Sequence, residues 1–303
     1  MQPNVEQSAP VLLVSVIVVT RNEVEALRRC LAALEASKNR EQIEILVVDN
    51  GSHDGCQSID SEFPEVTVLR LPHHCGLTKA RNIGLRTAKG DYVLLLSPEV
   101  EVAPGAIIAL KQRLEEDTAA LAVCPLLIDE DGTEISVARR LPDPVQVSSH
   151  WRDPWTLPAA PLGDALELHD GMAIFLRRKT IQGINYLDQK YGEHWIDVDL
   201  AYQIRRAGKK IALARDITSV VRRQTRREPS SSYERAAFLA DAAAGAARYL
   251  SKNFGFARGM GFRIQIVLLT FFKVLTFQDL SCNVSLMSRL LNGFKIDGTS
   301  QQL

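Results

Sequence analysis

The sequence predicts an α/β domain built on a mainly parallel sheet and followed by a helical C-terminal appendage. Val11 to Val19 is a β-branched run of strand character, and Ile43 to Val48 is a second one. Between them Val24, Leu27, Leu31 and Leu34 fall at three- and four-residue spacing on one helical face, which makes a βαβ unit. Tyr92 to Leu96 is an uninterrupted apolar run with turn-formers before it and Ser97-Pro98 after it, the pattern of a strand buried on both faces of such a sheet. Past Arg226 the composition shifts to an Ala-rich stretch, Tyr233 to Leu250, and then a strongly apolar one, Gly261 to Phe277.

Taken in order, residues 1–10 read as a frayed polar leader with no basic start, so a secretory signal is not expected. Thr20-Arg21-Asn22-Glu23 closes the first strand, and Thr20 or Asn22 can cap the helix that follows. The second strand ends in Asp49-Asn50-Gly51-Ser52-His53-Asp54-Gly55, where Gly, Asn and Asp supply turn chemistry. Val66 to Leu71 reads as a third strand and Gly76 to Ala88 as a helix. The strand at 92–96 stops at Glu99 and Glu101. Ligands of open α/β sheets sit at the carboxyl ends of strands, so this pair is placed to handle a cation or a sugar; a solvated acidic turn is the plainer alternative. Leu141 to Pro161, rich in Pro and Trp, reads as a loop over an acceptor or as a packing excursion.

With 303 residues, 46% of them hydrophobic, the chain can form one large domain with an appendage or two domains. Lys plus Arg and Asp plus Glu both number 36, so no global field recruits nucleic acid. Five scattered cysteines without C-x-x-C spacing argue against a disulfide framework or a zinc site and fit a reducing compartment.

Strand-TRNE, strand-VDNGSHDG and GLTKARNIGLRTAKGDYVLLLSPEVEV, continued by CPLLIDEDGTEISVARRLP, DGMAIFLRR, WIDVDL and RRAG, resemble the family 2 glycosyltransferases in order and spacing, in particular their rhamnosyltransferase-like branch. The resemblance implies a GT-A fold, a Rossmann-like mixed sheet flanked by helices, over residues 11–225, with 226–303 as a helical region. It implies an enzyme of the hexosyltransferase class, an inverting transferase that moves sugar from a nucleoside-diphosphate donor (a UDP- or dTDP-sugar) to a hydroxyl of a lipid-linked or polysaccharide acceptor. Surface polysaccharide or glycolipid synthesis in the cell envelope is the setting. A catalytically silent scaffold subunit of a glycan assembly complex is the alternative, because several motif positions depart from the family pattern.

By the same resemblance Thr20, Asn22, Glu23 and Asp49 inherit nucleotide binding, and Arg81 approaches the diphosphate, with a surface cation as its plain reading. The acidic metal motif falls on Ser97-Pro98-Glu99 or Glu99-Val100-Glu101, so Glu99 and Glu101 are the implied ligands of Mg or Mn. Glutamate at 99 replaces the branch's aspartate, and its extra methylene shifts the carboxylate in a site that wants near-ideal geometry. Asp197 matches the catalytic base, with Ile196 where relatives carry glutamate; an acidic residue that merely opens a helix is the alternative. The histidine that completes the metal site in many relatives is absent from Ser219 to Arg227. Arg222 or Arg223 would then face the leaving diphosphate, since guanidinium forks match phosphate oxygens, or form a basic membrane-facing patch. Asp170 and Trp195 are candidates for the sugar or acceptor, against a turn and a core indole.

As a helix, Gly261 to Phe277 would be ~25 Å long, short of a bilayer core, and it carries Arg263 and Lys273, so a transmembrane span is not expected. It fits the membrane interface, with Arg258, Arg263 and Lys273 near anionic headgroups, or equally packing on the domain or in a dimer. The expected location is cytoplasmic, with peripheral contact at that face of the membrane.

Overall fold

A computed structural model describes residues 13–135, 138–169, 171–222, 231–293 and 296. The chain runs β1 (Val14–Thr20), α1 (Val24–Glu35), β2 (Ile43–Asp49), α2 (Ile59–Glu62), β3 (Thr67–Arg70), α3 (Leu77–Thr87), β4 (Tyr92–Leu96), β5 (Val100–Val102), α4 (Ala106–Glu116) and β6 (Ala120–Ile128). It continues through β7 (Ala138–Arg139), α5 (Pro144–His150), β8 (Ala159–Ala160), β9 (Ala165–Leu166), β10 (Ala173–Arg177), α6 (Arg178–Gly183), α7 (Ile196–Arg206) and β11 (Lys210–Val221). Three helices end it: α8 (Ser232–Phe254), α9 (Phe256–Leu275) and α10 (Leu280–Leu291).

Among the described residues the main sheet has the order β3-β2-β1-β4-β10-β6-β11-β5, with β9 on β11. The β3-β2-β1-β4 half is parallel, and β10 enters antiparallel between β4 and β6. Successive strand residues go to opposite faces, and the core divides accordingly. Val16, Val18, Leu94 and Phe175 pack on one side with Leu27 and Leu31 of α1 and Leu110 of α4. Ile17, Val93, Leu95 and Ile174 pack on the other with Leu85, Val198, Trp195 and Tyr249. Burial on both faces explains why these strands read as continuous apolar runs. The five cysteines are buried and form no disulfide with one another.

Two regions beyond the sheet add to the core. Leu141 to Pro161 is a packing excursion: Asp143 forms a capping box on α5, and Val147, Trp151 and Leu157 are buried. The C-terminal helices pack onto the domain, because Ala242, Ala246, Tyr249 and Leu250 of α8 belong to the same core as the sheet. Tyr249 has its ring 5.6 Å from Trp195, 5.7 Å from Tyr202 and 5.7 Å from Phe254. No helix of the described residues is long and apolar enough to cross a membrane.

Tyr249→Ala should therefore cost about 3–5 kcal/mol and lower the midpoint of a single urea transition. Two separated transitions, with only the second moved, would mark residues 232–291 as an independent unit.

Candidate functional site

The carboxyl ends of β1 and β2 are stitched together by their own loops. Thr20 pairs with Asp49 across the strands. Asn22, at φ +56°, donates its backbone N–H to Ser52 Oγ (3.0 Å) and accepts at Oδ1 from the His53 N–H (2.7 Å). Asp49 is 4% exposed and accepts the Ser52 N–H at Oδ1 (2.9 Å). Helix α1 is capped from the neighbouring loop, by Asp54 Oδ2 on the Val24 N–H (2.8 Å), while Glu23 at the N-cap makes no side-chain capping bond. Thr20 and Asn22 are thereby released from the capping duty open to them. Among the described residues Asp49 Oδ2 carries no hydrogen bond, and Thr20 Oγ1 is buried without a partner. A buried hydroxyl in that condition, beside a carboxylate oxygen with capacity to accept, suits a polar ligand.

Across the mouth of the sheet lies a buried ion pair. Arg81 of α3 donates from Nη1 to Asp197 Oδ1 (2.6 Å) and from Nη2 to the Gly171 carbonyl (3.0 Å). The two side chains are 8% and 10% exposed. Gly171 has φ +78°, and a Cβ there would stand 3.1 Å from Asp197 Oδ2 and 2.9 Å from the Trp155 ring, so a side chain has no room. His169 Nδ1 accepts the Gly171 N–H (2.9 Å), and its Nε2 lies 3.9 Å from Asp197 Oδ1. The Ser97 N–H donates to the Met172 carbonyl (2.7 Å), which joins the turn holding Glu99 to the same segment.

The start of α7 is clamped from two sides, by residues that sequence reading missed. Glu193 Oε2 receives the Leu77 N–H (2.9 Å) at the first turn of α3 and contacts His74 Nε2 (3.1 Å). Asp241 of α8, 1% exposed, receives the N–H groups of Glu193 (2.8 Å) and His194 (3.2 Å) at Oδ2, and His194 Nδ1 lies 3.0 Å from the same oxygen. Burial alone would raise the Glu193 carboxyl, but the hydrogen bond and charge of His74, with His194, hold it at about 2. Burial likewise opposes charge on His194, yet the Asp241 carboxylate overrides it and raises the imidazole above its ordinary value. Asp199 is structural: Lys252 Nζ (2.6 Å) and Tyr191 OH (3.1 Å) donate to it.

Four expectations are corrected by these contacts. Arg81 is committed to Asp197 and Gly171 instead of reaching outward for a diphosphate. Trp195 is 2% exposed, and its Nε1 donates to the Trp151 carbonyl (2.9 Å), so no face is left for a sugar. Glu101 is taken by Arg29 (3.3 Å) and Arg222 (2.8 Å). Arg222, which also holds Glu130 (2.9 Å), has its charge shared between two carboxylates. Asp170 and Arg223 lie outside the described residues. With Glu101 withdrawn, and no group of three His, Cys, Asp or Glu side chains converging among the described residues, the side chains present do not by themselves fit a metal centre.

Residues 15–181 match the family model "Glycosyl transferase family 2". The chain belongs to this family. It is 28% identical over 226 residues, 64% of this chain and 70% of the relative, to "N-acetylglucosaminyl-diphospho-decaprenol L-rhamnosyltransferase" of Mycobacterium tuberculosis, in line with a rhamnosyltransferase-like branch. It is 32% identical over 116 residues, 37% of this chain and 29% of the relative, to "Uncharacterized glycosyltransferase YfnE" of Bacillus subtilis. Solved structures give the same fold. A mannosyltransferase from Pyrobaculum calidifontis in complex with GDP-Man and Mn2+ superposes with TM-score 0.52 at 17% identity, covering 93% of this chain and 87% of that one. GalNAc-T7 with UDP, GalNAc and Mn2+ superposes at 0.58 and 19% identity over 77% of this chain, which spans about half (48%) of that longer protein. The GT-A architecture of this family 2 glycosyltransferase follows.

Two measurements test the site as built. Arg81→Met strands a buried carboxylate and should cost about 3–5 kcal/mol in chemical denaturation; a loss below ~1 kcal/mol would mean the pair is solvent-screened. His194, raised in the folded state, contributes stability that is complete below its unfolded value of ~6.5 and lost as pH rises through the raised value. The melting-temperature advantage of the wild type over Asp241→Asn should accordingly be widest below pH ~6.5 and narrow above it. A margin that is flat with pH would remove the His194–Asp241 charge pair from the account.

Proposed function

We propose that the chain is an inverting glycosyltransferase in which Asp197 is the catalytic base and the β1 and β2 loops hold a nucleoside-diphosphate sugar, a UDP- or dTDP-sugar. The observation that carries this is the Arg81–Asp197 pair: Arg81 fixes Oδ1 of the carboxylate, and Oδ2 lies against the backbone of Gly171, where no side chain intervenes. In the reaction an acceptor hydroxyl gives its proton to Asp197 while its oxygen bonds to the anomeric carbon. The bond from that carbon to the diphosphate breaks on the opposite face, the configuration inverts, and the nucleoside diphosphate departs. Asp49, through Oδ2, can accept from a base N–H or a ribose hydroxyl, with Thr20, Asn22 and Glu23 beside it. Glu99, in the turn after β4, is read as facing the donor's phosphates.

The acceptor is read as a hydroxyl on a lipid-linked or polysaccharide chain, a reading supported by the mycobacterial relative, which is named for transfer to an N-acetylglucosaminyl-diphospho-decaprenol. Peripheral association at the cytoplasmic face of a membrane goes with such an acceptor. The outward apolar side of α9, with Phe256, Leu268 and Phe272 more than half exposed, supports it.

Asp197→Asn keeps size and removes the base. It should lower kcat by ~10²–10⁴ and leave the donor KM within a few-fold, measured as nucleoside diphosphate release over a panel of nucleotide sugars with a lipid-linked acceptor. Turnover that survives unchanged would place the base elsewhere.

A further inference from the structure

We propose that the cavity between α8 and α9 seats the phosphate of a membrane lipid whose chains lie along the exposed side of α9. This deepens the membrane-facing reading above and rests on it. The cavity, ≈ 350 Å³, is lined by Lys190, by Arg248 and Ser251 of α8, and by Phe256, Met260 and Arg263 of α9. Three cations and no acid therefore converge on one concave surface. Arg248 is partly compensated, since its Nε (3.1 Å) and Nη2 (2.8 Å) donate to Asp188. Lys190 and Arg263 make no ion pair among the described residues. Cations gathered on a concave surface, with only Arg248 partly neutralised by Asp188, attract an anion, and guanidinium and ammonium groups suit phosphate oxygens.

The rim of the same cavity is greasy. Phe256 is 72% exposed, and it begins a line with Met260, Ile264, Leu268, Phe271 and Leu275, spaced by three or four residues, that runs the length of α9. Phe262, Ile266 and Thr270 occupy the buried side of the helix. An apolar surface of this length on an outer helix marks an interaction site. Charge decides the occupant. Helix α9 contains Arg258, Arg263 and Lys273 and no acidic residue, and α10 contains Arg289 and none either. A second copy laid on this face would bring like charges together, whereas an anionic lipid surface supplies both the hydrocarbon and the opposite sign. Lys190 also belongs to the segment that leads through Glu193 into α7 and Asp197, so a lipid phosphate held there would be tied to the strand of chain that sets the proposed base.

The test uses the full chain and vesicles, without donor or acceptor, so failure of glycosyl transfer and failure of this proposal are separable. Co-sedimentation with phosphatidylglycerol-containing vesicles should be at least ~10-fold tighter than with phosphatidylcholine alone, since each basic side chain near an anionic surface adds to binding. Lys190→Gln with Arg263→Gln should abolish most of that preference. Arg258→Gln with Lys273→Gln removes equal charge from the same helix outside the cavity and should cost much less. Equal losses in the two double variants would reduce the effect to diffuse attraction and overturn the proposal. Inorganic pyrophosphate that binds the wild type as tightly as vesicles do, with vesicles adding nothing, would assign the cavity to a soluble anion and overturn it, as would concentration-dependent dimerisation with no vesicle binding.

Discussion

The constraint on which the site depends is the cost of burying a carboxylate. Asp197 is withdrawn from water, and an isolated ion in that position would be expensive, so the fold must bring a cation to it and hold both. Arg81 comes from the helix after β3 and Asp197 from the helix before β11, more than a hundred residues apart in sequence. Their relative position is fixed by a third party. Glu193 ties the approach to α7 onto the first turn of α3, and Asp241 on α8 grips the same approach from behind. The pair, the loop and the C-terminal helix make one mechanical unit.

This arrangement changes what the C-terminal helices are for. Composition alone separates them from the α/β part, yet α8 fills the core beneath Trp195 and inserts a buried acid among backbone donors that would otherwise lack partners. A charged hydrogen bond of this kind, made inside the protein, is stronger than its neutral equivalent. Helices α9 and α10 then pack on α8 and present their remaining apolar surface outward.

Much of the α/β half was legible because its physics is local. The runs at 14–20, 43–49 and 92–96 are mostly apolar, since both faces of the sheet are covered, and α1 showed its buried side in Val24, Leu27, Leu31 and Leu34. The family motifs singled out Asp49, Arg81 and Asp197 as positions, although the contact between the last two was invisible. Glu101 and Arg222 were misread because their ion pair arises from the antiparallel alignment of β5 with β11, which no nearby residue announces. Trp195 was ambiguous in kind, as an indole serves a core and a sugar platform equally well. Asp241 left one trace: a lone acid amid alanines in FLADAAAGAARYL, a stretch too apolar to keep a carboxylate without an inward partner.

The Asp241 grip also separates ancestry from mechanics. The family-model match ends at residue 181, ahead of Glu193, Asp197 and Asp241 alike. The portion that the family model spans thus holds only part of the site described above. A fragment trimmed to the shared boundary would keep the nucleotide loops and lose both the acid and the brace behind it, and any transplant of this activity onto another scaffold would have to carry α8 along.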